Sequence, residues 1–196
     1  MDDAVFEKHQ RLGAFPPALL AYIIYRRIVE HGVRATWLWM TDKIVRRTHG
    51  FSLPRISRVA PNLYVGGQQR AHGLDRMRRH GITAVVNMRE ESDDAAREVT
   101  LDHNLWLPTT DDTAPKPADL QRGADFIAEQ IEAGRGVYIH CASGVGRAPT
   151  MAAAYLVAEG ATPEAAWATI RAGRPFIRPT PPQIAVIEAF ARGEEE

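Results

Sequence analysis

The chain has 196 residues, 45% of them hydrophobic, which suits one domain of ordinary size with a real core, plus an extension. Lys and Arg balance Asp and Glu at a net charge of zero, so no global field points to nucleic acid and no such partner is expected. A single cysteine, Cys141, excludes an intramolecular disulfide framework and fits a reducing, cytoplasmic setting.

The longest apolar run, Phe15 to Tyr25, is too short to span a bilayer. Asp2, Asp3 and Glu7 precede it and no small-residue cleavage site follows, which argues against a secretory leader. Pro16-Pro17 opens a helical stretch to about Glu30. His31-Gly32 breaks it, and a second helical piece is expected from Arg34 to Arg47. Leu20, Ile24 and Ile28 share one face at i, i+4 spacing, and Trp37, Met40, Ile44 and Val45 mark another. Residues 16–50 carry six Arg or Lys against two acids. Residues 1–53 therefore read as an N-terminal helical extension. It is either a helix pair packed on the following domain or, through residues 16–48, a basic amphipathic element contacting a membrane surface. A chain starting near Leu53 is expected to fold without it.

Strands and helices alternate through residues 54–196. Leu63-Tyr64-Val65 is a short strand ending in Gly66-Gly67, and Leu74 to His80 a helix stopped by Gly81. Thr83 to Met88 is apolar on both faces, as a buried strand requires. Leu105-Trp106-Leu107 is another strand, stopped by Pro108. Asp119 is expected to cap a helix with Leu120, Ala124, Ile127, Ala128 and Ile131 on its apolar face, closed by Gly134. The strand Val137-Tyr138-Ile139 leads to a glycine-bearing loop, and a helix follows from about Ala148 to Glu159, with Pro149 in its first turn. Thr162-Pro163 starts the next helix and Gly173 ends it. Thr180-Pro181-Pro182-Gln183 fits a capping box for the last. Such alternation predicts an α/β fold: a central, mostly parallel sheet flanked by helices, with the loop beyond a carboxyl end.

That loop is His140-Cys141-Ala142-Ser143-Gly144-Val145-Gly146-Arg147. Between a strand and a helix N-terminus, consecutive backbone N–H groups form an anion cradle, and the helix dipole adds positive potential. A thiolate is favoured in such a field. The planar guanidinium of Arg147 matches two oxygens of a phosphate. Cys141 is thus a candidate nucleophile, with residues 142–147 binding the phosphate; Ser143 and Val145 contribute mainly backbone amides. His140 is expected to orient the loop. A thiolate that attacks phosphorus must expel an alkoxide or phenoxide, so a separate acid is needed. Asp111 and Asp112 stand near Pro115, about thirty residues before Cys141. Arg89 and Glu90, at the end of a buried strand, are read as a structural ion pair beneath the loop or, alternatively, as substrate contacts. No histidine shows metal-ligand spacing, and no metal or cofactor is expected.

The run from His140 to Arg147 resembles the signature H-C-x-x-G-x-x-R-[S/T] of cysteine-dependent protein tyrosine phosphatases, above all their dual-specificity branch. Weaker support comes from Leu63 to Gly67, Val85 to Glu90, the Asp111-Asp112 loop and Arg174-Pro175-Phe176, so the likeness runs from about Arg55 to Ala191. It implies a phosphomonoester hydrolase with a cysteinyl-phosphate intermediate. Asp111 would be the general acid, with Asp112 the alternative, and Gln183 would lie near the hydrolytic water or serve as a helix cap. The substrate would be phosphotyrosine, phosphoserine or phosphothreonine in a protein. The alternatives are a phospholipid such as a phosphatidylglycerophosphate or phosphoinositide, a phosphate-binding pseudophosphatase, or a sulfurtransferase. The pattern departs at Ala148, where the family carries a hydroxyl that donates to the cysteine sulfur.

Overall fold

Five strands form one sheet in the order β1-β2-β5-β3-β4 in the computed structural model, which describes residues 17–194. Asp2, Asp3, Glu7, Phe15 and Pro16 lie outside them. The strands are β1 (Arg58–Ala60), β2 (Leu63–Gly67), β3 (Ile82–Arg89), β4 (His103–Thr109) and β5 (Gly136–Cys141). Only β1 runs antiparallel to its neighbour. The helices are α1 (Pro17–His49), α2 (Pro54–Ser57), α3 (Leu74–Arg79), α4 (Pro117–Glu132), α5 (Arg147–Ala158), α6 (Pro163–Gly173) and α7 (Pro181–Ala191).

β5 is central and buried at every position. Its alternation sends Val137, Ile139 and Cys141 to one face and Tyr138 and His140 to the other. The first face packs on the large helical core, which includes Val65, Val86, Leu120, Ile127, Met151 and Ile187. The second meets Phe51, Tyr64, Met77, Ile82 and Val85. Burial of both faces explains the continuous apolar runs of β3 and β5.

Two local expectations are corrected. β4 runs through Pro108 to Thr109. It is an edge strand, where a missing N–H is tolerated, and its register with β3 shifts between Asn87 and Arg89. α4 begins after Lys116, with Pro117 in its first turn, so Asp119 sits inside the helix and pairs with Arg122 at 2.9 Å.

The chain divides into two compact units, one ending at Met40 and one beginning at Thr41. Thr41–His49 thus goes with the larger unit. The reason is a buried polar cluster: Asp42 pairs with Arg46 at 3.2 Å and with Arg174 at 3.0 Å. In the smaller unit, α1 is interrupted at Gly32, whose φ of 80° and ψ of 164° are non-helical. The Arg27 guanidinium lies 4.2 Å over the Trp39 ring. Tyr25 and Val29, one turn apart before Gly32, are exposed apolar residues, and Val33 and Trp37 are a second such pair after it. No described helix is long and apolar enough to cross a membrane.

Candidate active site

β5 ends at Cys141 and α5 begins at Arg147, so the signature loop joins the central strand to a helix N-terminus. The turn closes through Gly144, at φ 69°. A Cβ there would stand 2.3 Å from the Gly66 carbonyl carbon, so both conformation and space require glycine. This geometry aims the Gly144 N–H at Cys141 Sγ, 3.2 Å away.

The outer side of the loop is fully tied. The Ala142 carbonyl accepts from Arg46 Nη1 at 3.2 Å and from the Gln68 amide at 3.3 Å. The Ser143 carbonyl accepts from Arg174 Nη2 at 3.1 Å, and the Gly144 carbonyl from Arg174 Nε at 2.7 Å. The Val145 carbonyl accepts from the Arg178 amide at 2.6 Å.

Arg147 is fully buried. Its Nη1 and Nη2 donate to the two oxygens of Glu91, Nη1 also to the Thr109 carbonyl at 2.8 Å, and Nη2 pairs with Asp111 Oδ1 at 2.9 Å. Arg147 Nε is buried and makes no hydrogen bond. Burial opposes the guanidinium charge, but Glu91, then Cys141 and Asp111, raise its pKa above the ordinary value. Glu91 moves oppositely: burial opposes its charge, and hydrogen bonds from Arg147 and Arg89 outweigh it, holding the carboxyl at about 2.

The other end of the loop connects to the same arginine through polar links. His140 Nε2 lies 2.8 Å from Asp94 Oδ2. Asp94 Oδ1 accepts from Gln68 Nε2 at 2.8 Å, and Gln68 Oε1 accepts from Arg89 Nη1 at 2.7 Å. Arg89 Nε donates to Glu91 Oε1 at 2.8 Å, which closes the circuit. Burial works against the Asp94 charge, yet His140, then Gln68 and Gln69, keep its carboxyl below the usual range.

The acid loop holds both aspartates. Asp111 reaches Arg147. Asp112 has a left-handed backbone (φ 60°), and its carbonyl accepts from Thr180 Oγ1 at 3.0 Å. Burial, and next the neighbouring Asp111 charge, raise the Asp112 carboxyl above its ordinary value. Gln183 receives the Thr180 N–H on Oε1 at 3.0 Å, as a cap, and donates from Nε2 to the Thr113 carbonyl at 2.9 Å. Cap and acid-loop tether are thus one side chain.

The structure brings Cys141, residues 142–147, His140 and Asp111 together, with Asp112 and Gln183 on the adjoining loop and helix. The expected Arg89–Glu90 pair is replaced by Arg89–Glu91, and Glu90 accepts from Thr110 Oγ1 at 2.7 Å. β3 ends at Arg89 and residues 90 and 91 lie in the turn that follows, so no strand period singled out Glu91. Asp42, Arg46, Gln68 and Asp94 carried no sequence signal of this role. Among the described residues, no group of His, Cys, Asp or Glu could hold a metal ion.

Residues 63–192 match the family of the dual specificity phosphatase catalytic domain. The rat protein phosphatase Slingshot homolog 3 (Rattus norvegicus) is 30% identical over 130 residues, covering 65% of this chain and 20% of that protein. The rat phosphatidylglycerophosphatase and protein-tyrosine phosphatase 1 is 38% identical over 88 residues, 44% of this chain and 46% of that protein. Thus the chain spans less than half of either relative. The crystal structure of PTPMT1 in complex with PI(5)P superposes with a TM-score of 0.63 at 25% identity, covering 69% of this chain and 94% of that one.

Proposed function

The chain belongs to the dual specificity phosphatase family, and from that premise we propose that it hydrolyses phosphate monoesters without a metal, through a phosphocysteine at Cys141. One observation carries the reading: the loop that aims an amide at Cys141 Sγ ends in an arginine whose Nε is buried with no partner. That Nε, with Nη2, is the donor edge for two phosphate oxygens.

In the first step Sγ attacks phosphorus, the S–P bond forms and the bond to the ester oxygen breaks. The loop amides and Arg147 hold the equatorial oxygens, where charge accumulates. Asp111 leaves Arg147 Nη2 as the phosphate takes its place, takes up a proton from solvent once that ion pair is broken, and gives it to the departing oxygen. Asp112 is the alternative donor, favoured by its raised pKa. In the second step a water oxygen bonds to phosphorus, its proton passes to the same aspartate, and the S–P bond breaks. Gln183 holds the acid loop beside the cradle. His140 sets the loop's entry through Asp94.

The favoured substrates are phosphotyrosine, phosphoserine and phosphothreonine in proteins, because Ala142, Ser143, Val145 and Gly146 bring no charge to meet a polyanionic head group. The exposed apolar pairs Tyr25-Val29 and Val33-Trp37 on a basic segment support the second reading, a phospholipid substrate reached by peripheral contact through residues 16–48. We assign catalysis to residues 54–196 together with Thr41–His49, in a cytoplasmic protein that docks on the membrane surface. The test is hydrolysis of an aryl phosphate in the presence of a chelator, by wild type and Cys141→Ser, followed by phosphopeptide and phospholipid panels. Turnover by wild type alone supports the mechanism; turnover surviving in the serine variant refutes it.

A further inference from the structure

A cradle of backbone amides works only if its peptide planes are held with N–H inward. In a planar trans peptide the C=O of one residue and the N–H of the next point in opposite directions. A donor that grips a carbonyl from outside therefore turns the following amide towards the phosphate. Four consecutive peptides of the signature loop are gripped in this way, at the carbonyls of Ala142, Ser143, Gly144 and Val145. The Ser143–Gly144 peptide shows the result: Arg174 holds its carbonyl, and its amide points at Cys141 Sγ.

Three of these grips, made by two arginines, share one anchor. Arg46 Nε and Arg174 Nη2 both bond Asp42 Oδ2, and Asp42 is 1% exposed. Arg46 and Asp42 come from the last turns of α1, far in sequence from the loop. The Arg46 guanidinium crosses Gly67, where a Cβ would stand 2.2 Å from Nη1. Arg46 is thereby held by its carboxylate on one side and the Ala142 carbonyl on the other. Its charge, with that of Arg174, lies behind the amides and adds positive potential to the cradle.

We propose that Asp42 and Arg46 are positioning residues for phosphate: they set the orientation of the Ala142–Ser143 peptide and so the affinity of the cradle for a phosphate dianion. The N-terminal helix then supplies part of the catalytic machinery of the domain, and a chain starting near Leu53 lacks it. The proposal rests on the phosphatase reading above.

The experiment uses the full chain and inorganic phosphate as competitive inhibitor of aryl phosphate hydrolysis, with thermal melting to report folding. Arg46→Ala is expected to raise the phosphate inhibition constant and KM together by about tenfold, the lower end for loss of one charge-assisted hydrogen bond. Arg46→Lys keeps the charge but serves only one of the two acceptors, and is expected to recover about half of that loss on a logarithmic scale. Arg47→Ala, an exposed neighbour, is expected to change neither constant. A merely structural role would lower the melting temperature and leave the inhibition constant of the folded fraction unchanged. That result, or equal constants for wild type and Arg46→Lys when Arg46→Ala fails to fold, overturns the proposal. If wild type hydrolyses aryl phosphates and Cys141→Ser does not, such an outcome removes the proposal alone. If wild type neither turns over nor binds phosphate, the phosphatase reading fails with it.

Discussion

Arg147 and Glu91 meet as a two-pronged pair, Nη1 to Oε2 at 2.9 Å and Nη2 to Oε1 at 3.1 Å. The pair fixes the plane of the guanidinium and leaves Nε without a hydrogen bond. Arg147→Lys removes the fork and the plane, since an ammonium is a point charge. Its kcat/KM on an aryl phosphate is expected to fall on the order of 10²–10³-fold, the range seen when one oxyanion donor is lost. A loss below tenfold in steady-state assays would mean that Arg147 does not hold the transferring group.

The same pair makes a pH prediction. The folded pKa of Glu91, about 2, lies below its ordinary value of 4.5. A lowered carboxyl stabilises the folded state above the unfolded value and loses that contribution as pH falls through the folded one. Urea midpoints of wild type and Glu91→Gln are therefore expected to differ most above pH 4.5 and to converge towards pH 2. A gap that widens on acidification contradicts the assignment.

The two aspartates separate by leaving group. Asp111→Asn is expected to slow phenyl or alkyl phosphates by about 10²–10⁴-fold and to matter far less for leaving groups that depart without a proton. If Asp112→Asn shows that dependence and Asp111→Asn does not, the acid is Asp112, and the Asp111 pair with Arg147 serves only to order the loop.

Ala148 is fully buried where the family pattern has a hydroxyl. Thr150 does not replace it, because its Oγ1 donates to the Gly146 carbonyl at 3.0 Å. The Gly144 amide remains as a donor to Sγ. A charge-assisted hydrogen bond contributes about 1.5–3 kcal/mol, roughly ten- to a hundredfold in the step that expels the thiolate. Wild type is expected to show a pre-steady-state burst of leaving group in rapid mixing, and Ala148→Ser a smaller burst with faster steady turnover. Absence of a burst, with an unchanged rate in Ala148→Ser, would make phosphorylation of Cys141 the slow step.

For the membrane contact, the full chain is expected to co-sediment with anionic vesicles, less as salt rises. Val33→Glu and Trp37→Glu should weaken that binding severalfold and leave hydrolysis of a soluble aryl phosphate unchanged. Binding that is indifferent to both substitutions would place the contact elsewhere.

The site's geometry was legible where it is local in sequence. The strand, glycine turn and helix start around Cys141 are adjacent in the chain, so one short run specified loop, nucleophile and arginine. The α/β alternation followed from apolar runs set by two-faced burial. What stayed hidden is carried by long-range polar pairs. Asp42 and Arg46 read as surface charges on a basic helix until the fold placed Arg174 against them. Asp94 and Gln68 sit in turns whose composition looks solvent-facing. Glu91 was one residue from the expected partner of Arg89, in a turn after β3 where no period guides the choice. Pro108 failed as a stop signal because the sheet edge tolerates it.

Cys141 is the sole thiol in these 196 residues and receives an amide N–H on its sulfur. A sulfur nucleophilic enough to attack phosphorus is also open to peroxide, which takes it to a sulfenic acid. No second cysteine in this chain can trap that species as an internal disulfide. For the nucleophile proposed above, rescue would come from a thiol outside these 196 residues or from a backbone nitrogen condensing to a cyclic sulfenamide, and further oxidation to the sulfinic acid would end turnover. On the proposed chemistry, oxidative inactivation of this site would be governed by thiols outside these 196 residues.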